Sequence, residues 1–318
     1  MSLVESGWRQ FTFFEKHNVC DPENPESKFS GLKEDEEGVN SLVKLWQLDR
    51  VEKDAPFCVR VIRVCPLLGI GRSTRACHVA LHSSLRHIAV GFIDSSVIYS
   101  ASNIIKEKSG KWLTVVDGAN SGSGDEVTGL CLAWLAAQDI CVLYCLTSTA
   151  ILSFSISNKA TINRVEHDAK GCLRDCWSFS EVNNQLIVGS TEMVYFYEAE
   201  QSAAADPDSG KGRCHALGRS NEKIQLLALN NHVALLTRQP TSIPYSSELW
   251  TYVVSIYDVE GQCVAFSCAV PAVSRMFLLD SMFMVLTQDG TLSAFTEKNI
   301  SAKLDILFKK NLYDLAVG

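Results

Sequence analysis

The chain has 318 residues, of which 47% are hydrophobic and 20% are charged. This composition is typical of a globular protein and excludes a wholly disordered chain. The formal net charge of −7 argues against a protein that binds nucleic-acid phosphates, because such proteins concentrate Lys and Arg. We therefore expect no nucleic acid among its partners.

The N-terminus carries no basic segment followed by an apolar run, so the sequence predicts no secretory signal. The twelve cysteines are accordingly expected to be small buried hydrophobic residues of a cytoplasmic protein.

The first predicted element in chain order is a lone strand over residues 8–14, where four aromatic side chains lie within seven residues. An acidic run follows, formed by Glu34, Asp35, Glu36 and Glu37. These four residues are candidates for contact with a basic segment of a partner protein, although a hydrated loop is the plainer interpretation.

Five hairpins then repeat along the chain, each with two short apolar segments around a polar turn. Their turns are centred near residues 95, 148, 191, 244 and 289, and a further turn near Gly38 would precede the apolar segment 42–48. Units of about 40–50 residues made of short strands are typical of a β-propeller.

The sequence therefore predicts an all-β protein, a WD40-like β-propeller over residues 1–300 with about six blades. In this fold the strand 8–14 would complete a blade built from the other end of the chain. A β-sandwich is the rival interpretation, since it is also built from hairpins.

Residues 140–158 carry no charge and could be mistaken for a membrane span. Polar residues at the centre, Thr147, Ser148 and Thr149, instead favour two strands and a turn.

An amphipathic helix is predicted from about residue 301, because apolar residues recur there at helical spacing. Its polar face carries Lys309 and Lys310, which are candidates for contact with a protein or an anionic membrane.

Four segments, at residues 8–16, 34–46, 89–94 and 307–313, resemble the vacuolar protein sorting-associated protein 11 family (Pep5-type). The resemblance implies a seven-bladed propeller followed by an α-solenoid and a RING zinc domain. Residues 34–50 would then be an incomplete blade that lacks the strand expected to pair with 42–48, and residues 301–318 would be the first helix of a solenoid that the chain lacks.

The resemblance also implies a function. The family supplies core subunits of the HOPS and CORVET tethering complexes, which act in endosome-to-lysosome (vacuole) vesicle docking and fusion. The implied partners are the other class C vacuolar sorting subunits, and indirectly Rab GTPases and SNAREs. The chain would be cytoplasmic and peripheral on late endosome and lysosome membranes, attached through the complex only.

Residues that could carry chemistry are few, and we expect no catalytic residue, metal or cofactor. Cys141 with Cys145, and Cys172 with Cys176, are spaced four apart, whereas a zinc knuckle uses Cys-x₂-Cys, so buried thiols are the favoured interpretation. His78, His82 and His87 lack a carboxylate at matching spacing and are expected to be ordinary core or surface histidines.

A Cys–His pair between His167 and Cys172 or Cys176 is a weaker alternative, since proximity in sequence does not provide the geometry that activates a thiol.

Three functions remain open from the sequence. A non-catalytic scaffold of a tethering complex is favoured. A WD40-like adaptor in another pathway, such as a substrate receptor of a ubiquitin ligase, is the alternative. A propeller enzyme with a site in the central channel is disfavoured, because the predicted inner strands offer little chemistry.

Overall fold

A computed structural model describes most of the chain: residues 8–20, 28, 42–52, 55–64, 76–93, 95–107, 110–117, 126–135, 140–156, 162–168, 171–198, 213–219, 221–241, 249–279, 282–313 and 316. The chain divides into two compact units. Unit 1 contains residues 1–33, 173–198 and 212–318, and unit 2 contains residues 34–172 and 199–211.

The described elements are almost entirely strands. In chain order they are β1 (Arg9–Gln10), β2 (Phe14–Val19), β3 (Leu42–Glu52), β4 (Ala55–Arg63), β5 (Ala76–Leu81), β6 (His87–Phe92), β7 (Ser95–Ser100), β8 (Lys111–Asp117), β9 (Val127–Leu135), β10 (Ile140–Thr147), β11 (Ile151–Ile156), β12 (Ile162–Asp168), β13 (Trp177–Ser180), β14 (Gln185–Gly189), β15 (Val194–Glu198), β16 (Arg213–His215), β17 (Glu222–Leu229), β18 (His232–Pro240), β19 (Trp250–Asp258), β20 (Cys263–Val270), β21 (Val273–Leu279), β22 (Met282–Thr287) and β23 (Leu292–Glu297). A helix, α1 (Ile300–Lys309), follows the last strand.

These strands form six sheets, three in each unit, within the described residues. Unit 2 holds the pair β3–β4 and the four-stranded antiparallel sheets β5–β8 and β9–β12. Unit 1 holds β13–β16, then β17–β20 with β1 added at its outer edge, and last β21–β23 with β2. The six sheets are the blades of a β-propeller, which confirms the predicted fold class.

Each of the five predicted hairpins is the central pair of a blade: β6–β7, β10–β11, β14–β15, β18–β19 and β22–β23. Residues 140–156 of the uncharged stretch form the pair β10–β11 rather than a membrane helix, as predicted. In the part of the chain that the structure describes, no helix is both long enough and apolar enough to cross a bilayer.

Both faces of the central strands are buried, because neighbouring blades within a unit pack face to face. In β14, for example, the consecutive residues Leu186, Ile187 and Val188 are at most 3% exposed. Ile187 packs in one cluster with Leu226 and Leu235 of the next blade. The first strands of successive blades, β13, β17 and β21 in unit 1 and β5 and β9 in unit 2, contact one another, so the blades converge on these strands.

Buried polar groups join neighbouring blades of unit 1. The side chain of Gln225 on β17 donates to the carbonyl of Met276 on β21 at 2.8 Å and accepts from its N–H at 2.8 Å. Lys223 is only 4% exposed and donates to the carbonyl of Thr191 in the preceding blade at 2.8 Å. These bonds satisfy groups that would be costly to bury alone.

The N-terminal segment belongs to two blades of unit 1. Residues 9–10 run parallel to β20, and the N–H groups of Phe11 and Phe13 continue this pairing to the carbonyls of Val264 and Ala265 at 2.8 Å. β2 then pairs antiparallel with β23, from Phe14 opposite Glu297 to Val19 opposite Leu292. The strand predicted over 8–14 is thus two shorter strands, with the sheet-completing one at 14–19.

The blade at residues 42–63 differs from the expectation. β3 has an antiparallel partner after all, β4, with Leu42 opposite Arg63 and Leu45 opposite Arg60. The prediction placed the missing partner strand before β3 in the chain, whereas the partner is the alternating segment that follows β3. The predicted turn near Gly38 lies outside the described residues. Among the described strands this blade has two, whereas the other blades have four or five.

The C-terminal helix starts where the sequence predicts, within one residue. The side chain of Asn299 caps it by accepting a hydrogen bond from the N–H of Ala302 at 2.9 Å. Leu307 is buried against Phe11 and Phe13 of the N-terminal segment, in the same hydrophobic cluster.

Candidate functional site

The contact residues suggested by the sequence do not come together in the described structure. Glu34, Asp35, Glu36 and Glu37 lie outside the described residues. Lys309 is exposed in the last turn of α1. Lys310 is also exposed, but its Nζ donates to the carbonyl of Gln10 at 2.7 Å and lies 5.0 Å from the ring centroid of Phe11. Its ammonium group therefore already binds the N-terminal segment.

The thiols considered for chemistry lie in the core. Cys141, Cys145, Cys172 and Cys176 are at most 4% exposed. Burial raises the pKa of Cys141, Cys145 and Cys176 to about 12, so these thiols are protonated at neutral pH. A protonated thiol is neither a nucleophile nor a metal ligand.

Three of the histidines considered for chemistry, His82, His87 and His167, lie within hydrogen-bonding distance of serine hydroxyls. Nδ1 of His82 lies 2.6 Å from the Ser84 hydroxyl, and Nδ1 of His87 lies 2.9 Å from the Ser100 hydroxyl. Nε2 of His167 lies 2.8 Å from the hydroxyl of Ser153, on the adjacent strand of the same sheet. Within the described residues, no group of three His, Cys, Asp or Glu side chains could hold a metal ion.

A concave surface of the described residues lies in unit 1, around the turn between β19 and β20. Three cavities of about 170, 540 and 350 Å³ adjoin there and share lining residues. The first two share Asn231, His232 and Glu260, and the last two share Asp258 and Leu307. We call this continuous depression the turn groove.

The turn groove changes in character along its length. Its first cavity is polar and is lined by Asn183, Gln185 and Arg213 among others. Its middle cavity carries three carboxylates, those of Asp258, Glu260 and Glu297. At its far end, Phe11, Phe13 and Leu307 line the third cavity together with the polar residues Arg9, Asp258 and Gln262.

The polar side chains of the groove differ in their partners. Glu297 forms an ion pair with Lys303, and Nε2 of His232 lies 3.9 Å from the same carboxylate. Burial lowers the pKa of His232, although the nearby Glu297 and Asp258 oppose that effect. Gln185 is 8% exposed and, within the described residues, its amide makes no hydrogen bond.

Sequence reasoning missed this groove. Two Asn-Asn pairs, at 183–184 and 230–231, were the available signal, because Asn tolerates the positive φ that a tight turn needs. The structure gives Asn184 a φ of 51° and Asn230 a φ of 49°. These turns bring residues from two blades to the same cavity.

Comparisons with known proteins identify relatives of this chain. The chain is 37% identical to the vacuolar protein sorting-associated protein 11 homolog of Caenorhabditis elegans, over 99% of this chain and 38% of that protein. It is 29% identical to the homolog of Mus musculus, over 90% of this chain and 29% of that protein. The chain thus spans well under half the length of these relatives.

Among solved structures, the β-propeller domain of Cps50 (Swd1) from Myceliophteria thermophila matches with a TM-score of 0.49 and 12% identity, over 80% of this chain and 76% of that one. The family profile described as PEP5/VPS11 N-terminal matches residues 29–297. The chain therefore belongs to the PEP5/VPS11 family.

Proposed function

We propose that the chain is a non-catalytic protein-interaction module of a HOPS/CORVET-type tethering complex. The observation that carries this proposal is the family match over residues 29–297, together with a propeller fold. In this role it acts in vesicle docking and fusion between endosomes and the lysosome or vacuole, and so in intracellular protein transport.

The propeller suits binding because its blades hold the connecting turns in fixed positions. Central strands buried on both faces form the rigid part, and side-chain bonds such as that of Gln225 to Met276 tie blades together. Binding residues on loops of such a scaffold are already ordered before the partner binds. The entropic cost of association is therefore lower. Several turns can then hold different subunits at once.

The chemistry of the described side chains also favours binding over catalysis. The thiols of Cys141, Cys145 and Cys176 are protonated. His87 and His167 bond to serine hydroxyls inside their own blades. Neither arrangement presents an activated nucleophile to a substrate.

The proposed partners are the other class C vacuolar sorting subunits, with Rab GTPases and SNAREs reached through them. The proposed location is the cytoplasmic surface of late endosomes and lysosomes or vacuoles. Membrane association would be peripheral and would depend on the complex.

Quantitative affinity capture tests this proposal. The tagged chain is compared with a version extended by the remaining length of the nematode relative. We expect the extended version to recover the other tethering subunits at near-equal molar amounts, and the chain alone to recover much less. An extended version that folds but recovers none of them would contradict the proposal, as would stoichiometric recovery of a different complex.

A further inference from the structure

The first strand of the blade β5–β8 has an uncovered apolar face. Val79 and Leu81 on β5 lie opposite Val90 and Ile88 on β6, so these four side chains point to the same side of the sheet. Val90 and Ile88 are at most 1% exposed, whereas Val79 is 54% and Leu81 is 45% exposed. The cover of this face therefore stops between β6 and β5.

The pair β3–β4 forms this cover. Ile62 of β4 lies in one hydrophobic cluster with Ile88 and Tyr99, and Val64 lies in another with Val90. The pair has two strands, whereas the blade beneath it has four. Because neighbouring strands lie about 4.8 Å apart, two strands leave a strip about 10 Å wide uncovered.

A first strand in unit 1 is covered at the corresponding place. On β17, Leu226 and Ala228 cluster with Ile187 of the preceding blade and are 0% and 6% exposed. The open strip on β5 is therefore a departure from this packing. We call the space above Val79 and Leu81, beside the pair β3–β4, the strand slot.

The strand slot is bordered by unpaired backbone. Each strand of the two-stranded pair has one edge whose N–H and C=O groups have no strand partner among the described strands. A row of such groups is satisfied by another extended chain that adds to the edge. Alternate side chains of an added strand would point down onto Val79 and Leu81, so apolar residues are favoured there.

The opposite face of the pair selects the remaining side chains. Lys44 on β3 and Arg63 on β4 alternate with the packed residues, are exposed, and have no ion-pair partner among the residues that the structure describes. The charged side chains described in the pair are four cations and two carboxylates, in a chain whose net charge is −7: Lys44, Arg50, Arg60 and Arg63, with Asp49 and Glu52. Carboxylates on this face of an added strand would complement the excess of cations.

We propose that the strand slot binds an extended segment of a partner protein in which apolar residues alternate with acidic ones. The segment pairs with the free edge of β3–β4, its apolar side chains cover Val79 and Leu81, and its carboxylates lie on the face of Lys44 and Arg63. The inference rests on the proposed function and deepens it, since it names a docking surface and the chemistry of the partner.

Synthetic peptides test the proposal with the purified full chain. Labelled seven-residue peptides alternate valine with glutamate, glutamine or lysine, and fluorescence anisotropy measures their binding. We expect the glutamate peptide to bind about ten-fold more tightly than the glutamine peptide, and the lysine peptide to bind least. Equal binding of the three peptides would overturn the proposal.

Backbone methylation shows whether the peptide binds as a strand. In an extended chain the N–H groups of alternate residues point to opposite edges, so methylating the valine nitrogens or the glutamate nitrogens blocks one edge only. We expect one methylated peptide to bind like its parent and the other about ten-fold more weakly. If the two methylated peptides bind equally well, the occupant does not pair as a strand.

Variants locate the site. Val79→Thr combined with Leu81→Thr is expected to weaken binding of the glutamate peptide about ten-fold without lowering the Tm, because both side chains are already half exposed. Val182→Thr, at a 68% exposed valine in the turn between β13 and β14, is the control and should leave binding unchanged. Normal peptide binding by the double variant would refute the assigned location.

The cations are tested separately. Lys44→Gln combined with Arg63→Gln should remove most of the preference for the glutamate peptide over the glutamine peptide, whereas Lys16→Gln, at an exposed position of β2, should keep it. A full preference in the variant without Lys44 and Arg63 would contradict their role.

A second copy of the chain is the alternative occupant, and light scattering distinguishes it. We expect the chain to be monomeric at the concentrations used for peptide binding. A dimer that dissociates when Val79 and Leu81 are both replaced by threonine would overturn the proposal, because the slot would then hold a second copy.

The outcome is separable from that of the proposed function. If the peptides show no preference and the extended chain still recovers the tethering subunits, only the slot proposal fails. If the glutamate peptide binds as expected and the extended chain recovers no tethering subunit, only the proposed function fails.

Discussion

Single side chains decide how neighbouring blades stay together. Gln225 and Gln185 are each 8% exposed and lie at successive blades of unit 1, yet only Gln225 is bonded to backbone, through both amide atoms, within the described residues. Of these two residues, Gln225 is therefore the one whose amide ties neighbouring blades together.

The pair gives a matched prediction for stability. Gln225→Leu leaves the N–H and carbonyl of Met276 buried without partners, so we expect a loss of about 2–3 kcal/mol in the free energy of unfolding. Gln185→Leu should change it by less than about 1 kcal/mol. Urea unfolding followed by circular dichroism measures both. Equal losses in the two variants would show that the bonds to Met276 do not hold the blades together.

A second prediction for a single residue concerns the pH dependence of stability. Burial, assisted by the positive charges of nearby His82 and Arg86, lowers the pKa of His87 from 6.5 to about 4. Between these values the unfolded chain binds a proton that the folded chain does not. The contribution of His87 to stability is therefore complete above pH 6.5 and falls as the pH decreases towards 4.

His87→Asn tests this, because an asparagine amide can replace Nδ1 at the Ser100 hydroxyl without titrating. We expect the variant to lose less stability than the parent between pH 7 and pH 4.5. A His87→Asn protein with the same loss as the parent would contradict the assigned role of burial.

Among the elements, the N-terminal segment pairs with two different blades of unit 1. β1 lengthens the blade of β17–β20, β2 completes the blade of β21–β23, and Phe11 and Phe13 between them stack at 4.6 Å beneath α1. Lys310 at the end of α1 binds the same segment. The first and last described parts of the chain are thus joined by backbone pairing, an aromatic stack and a cation.

Truncating the stack should therefore weaken unit 1. Phe11 is 2% exposed, and Phe11→Ala would remove its contacts with Phe13 and Lys310, so we expect a loss of about 3–4 kcal/mol in unfolding free energy. Lys16→Ala, at an exposed position of β2, should change it by less than about 0.5 kcal/mol. Hydrogen exchange at β20 and β23 would show whether the loss is local to the paired strands. Unaltered exchange there in Phe11→Ala would contradict the account.

The blades were predictable from the sequence because each central hairpin carries its own signal: two apolar segments and a polar turn. Outer strands such as β16 and β12 were not predicted, since one is three residues long and the other, Ile162–Asp168, contains five polar or charged residues. The turn groove could not be predicted from the sequence, for a different reason. Its residues come from two blades, the N-terminal segment and α1, and only tertiary packing brings them together.

For the whole molecule, the blade at β3–β4 is the clearest departure from regularity. Leu42, Trp46 and Val61 on these strands are 41%, 49% and 51% exposed, whereas central strands of other blades bury both faces. The alignment to the nematode relative runs over 377 positions although this chain has 318 residues, so the relative carries residues that this chain lacks. The two described strands remain paired with each other and pack on the next blade through Ile62 and Ile88.

The chain belongs to the PEP5/VPS11 family. Its proposed role as an interaction module within a tethering complex can be tested in an animal. In the most direct test, this chain replaces the matching part of the Caenorhabditis elegans relative, and the chimera is expressed in animals that lack that relative. The delivery of lysosomal cargo is then measured. We predict that the chimera restores delivery, and that the chimera with Gln225→Leu does so less well. A chimera that is expressed and folded but leaves the cargo undelivered would contradict the claim.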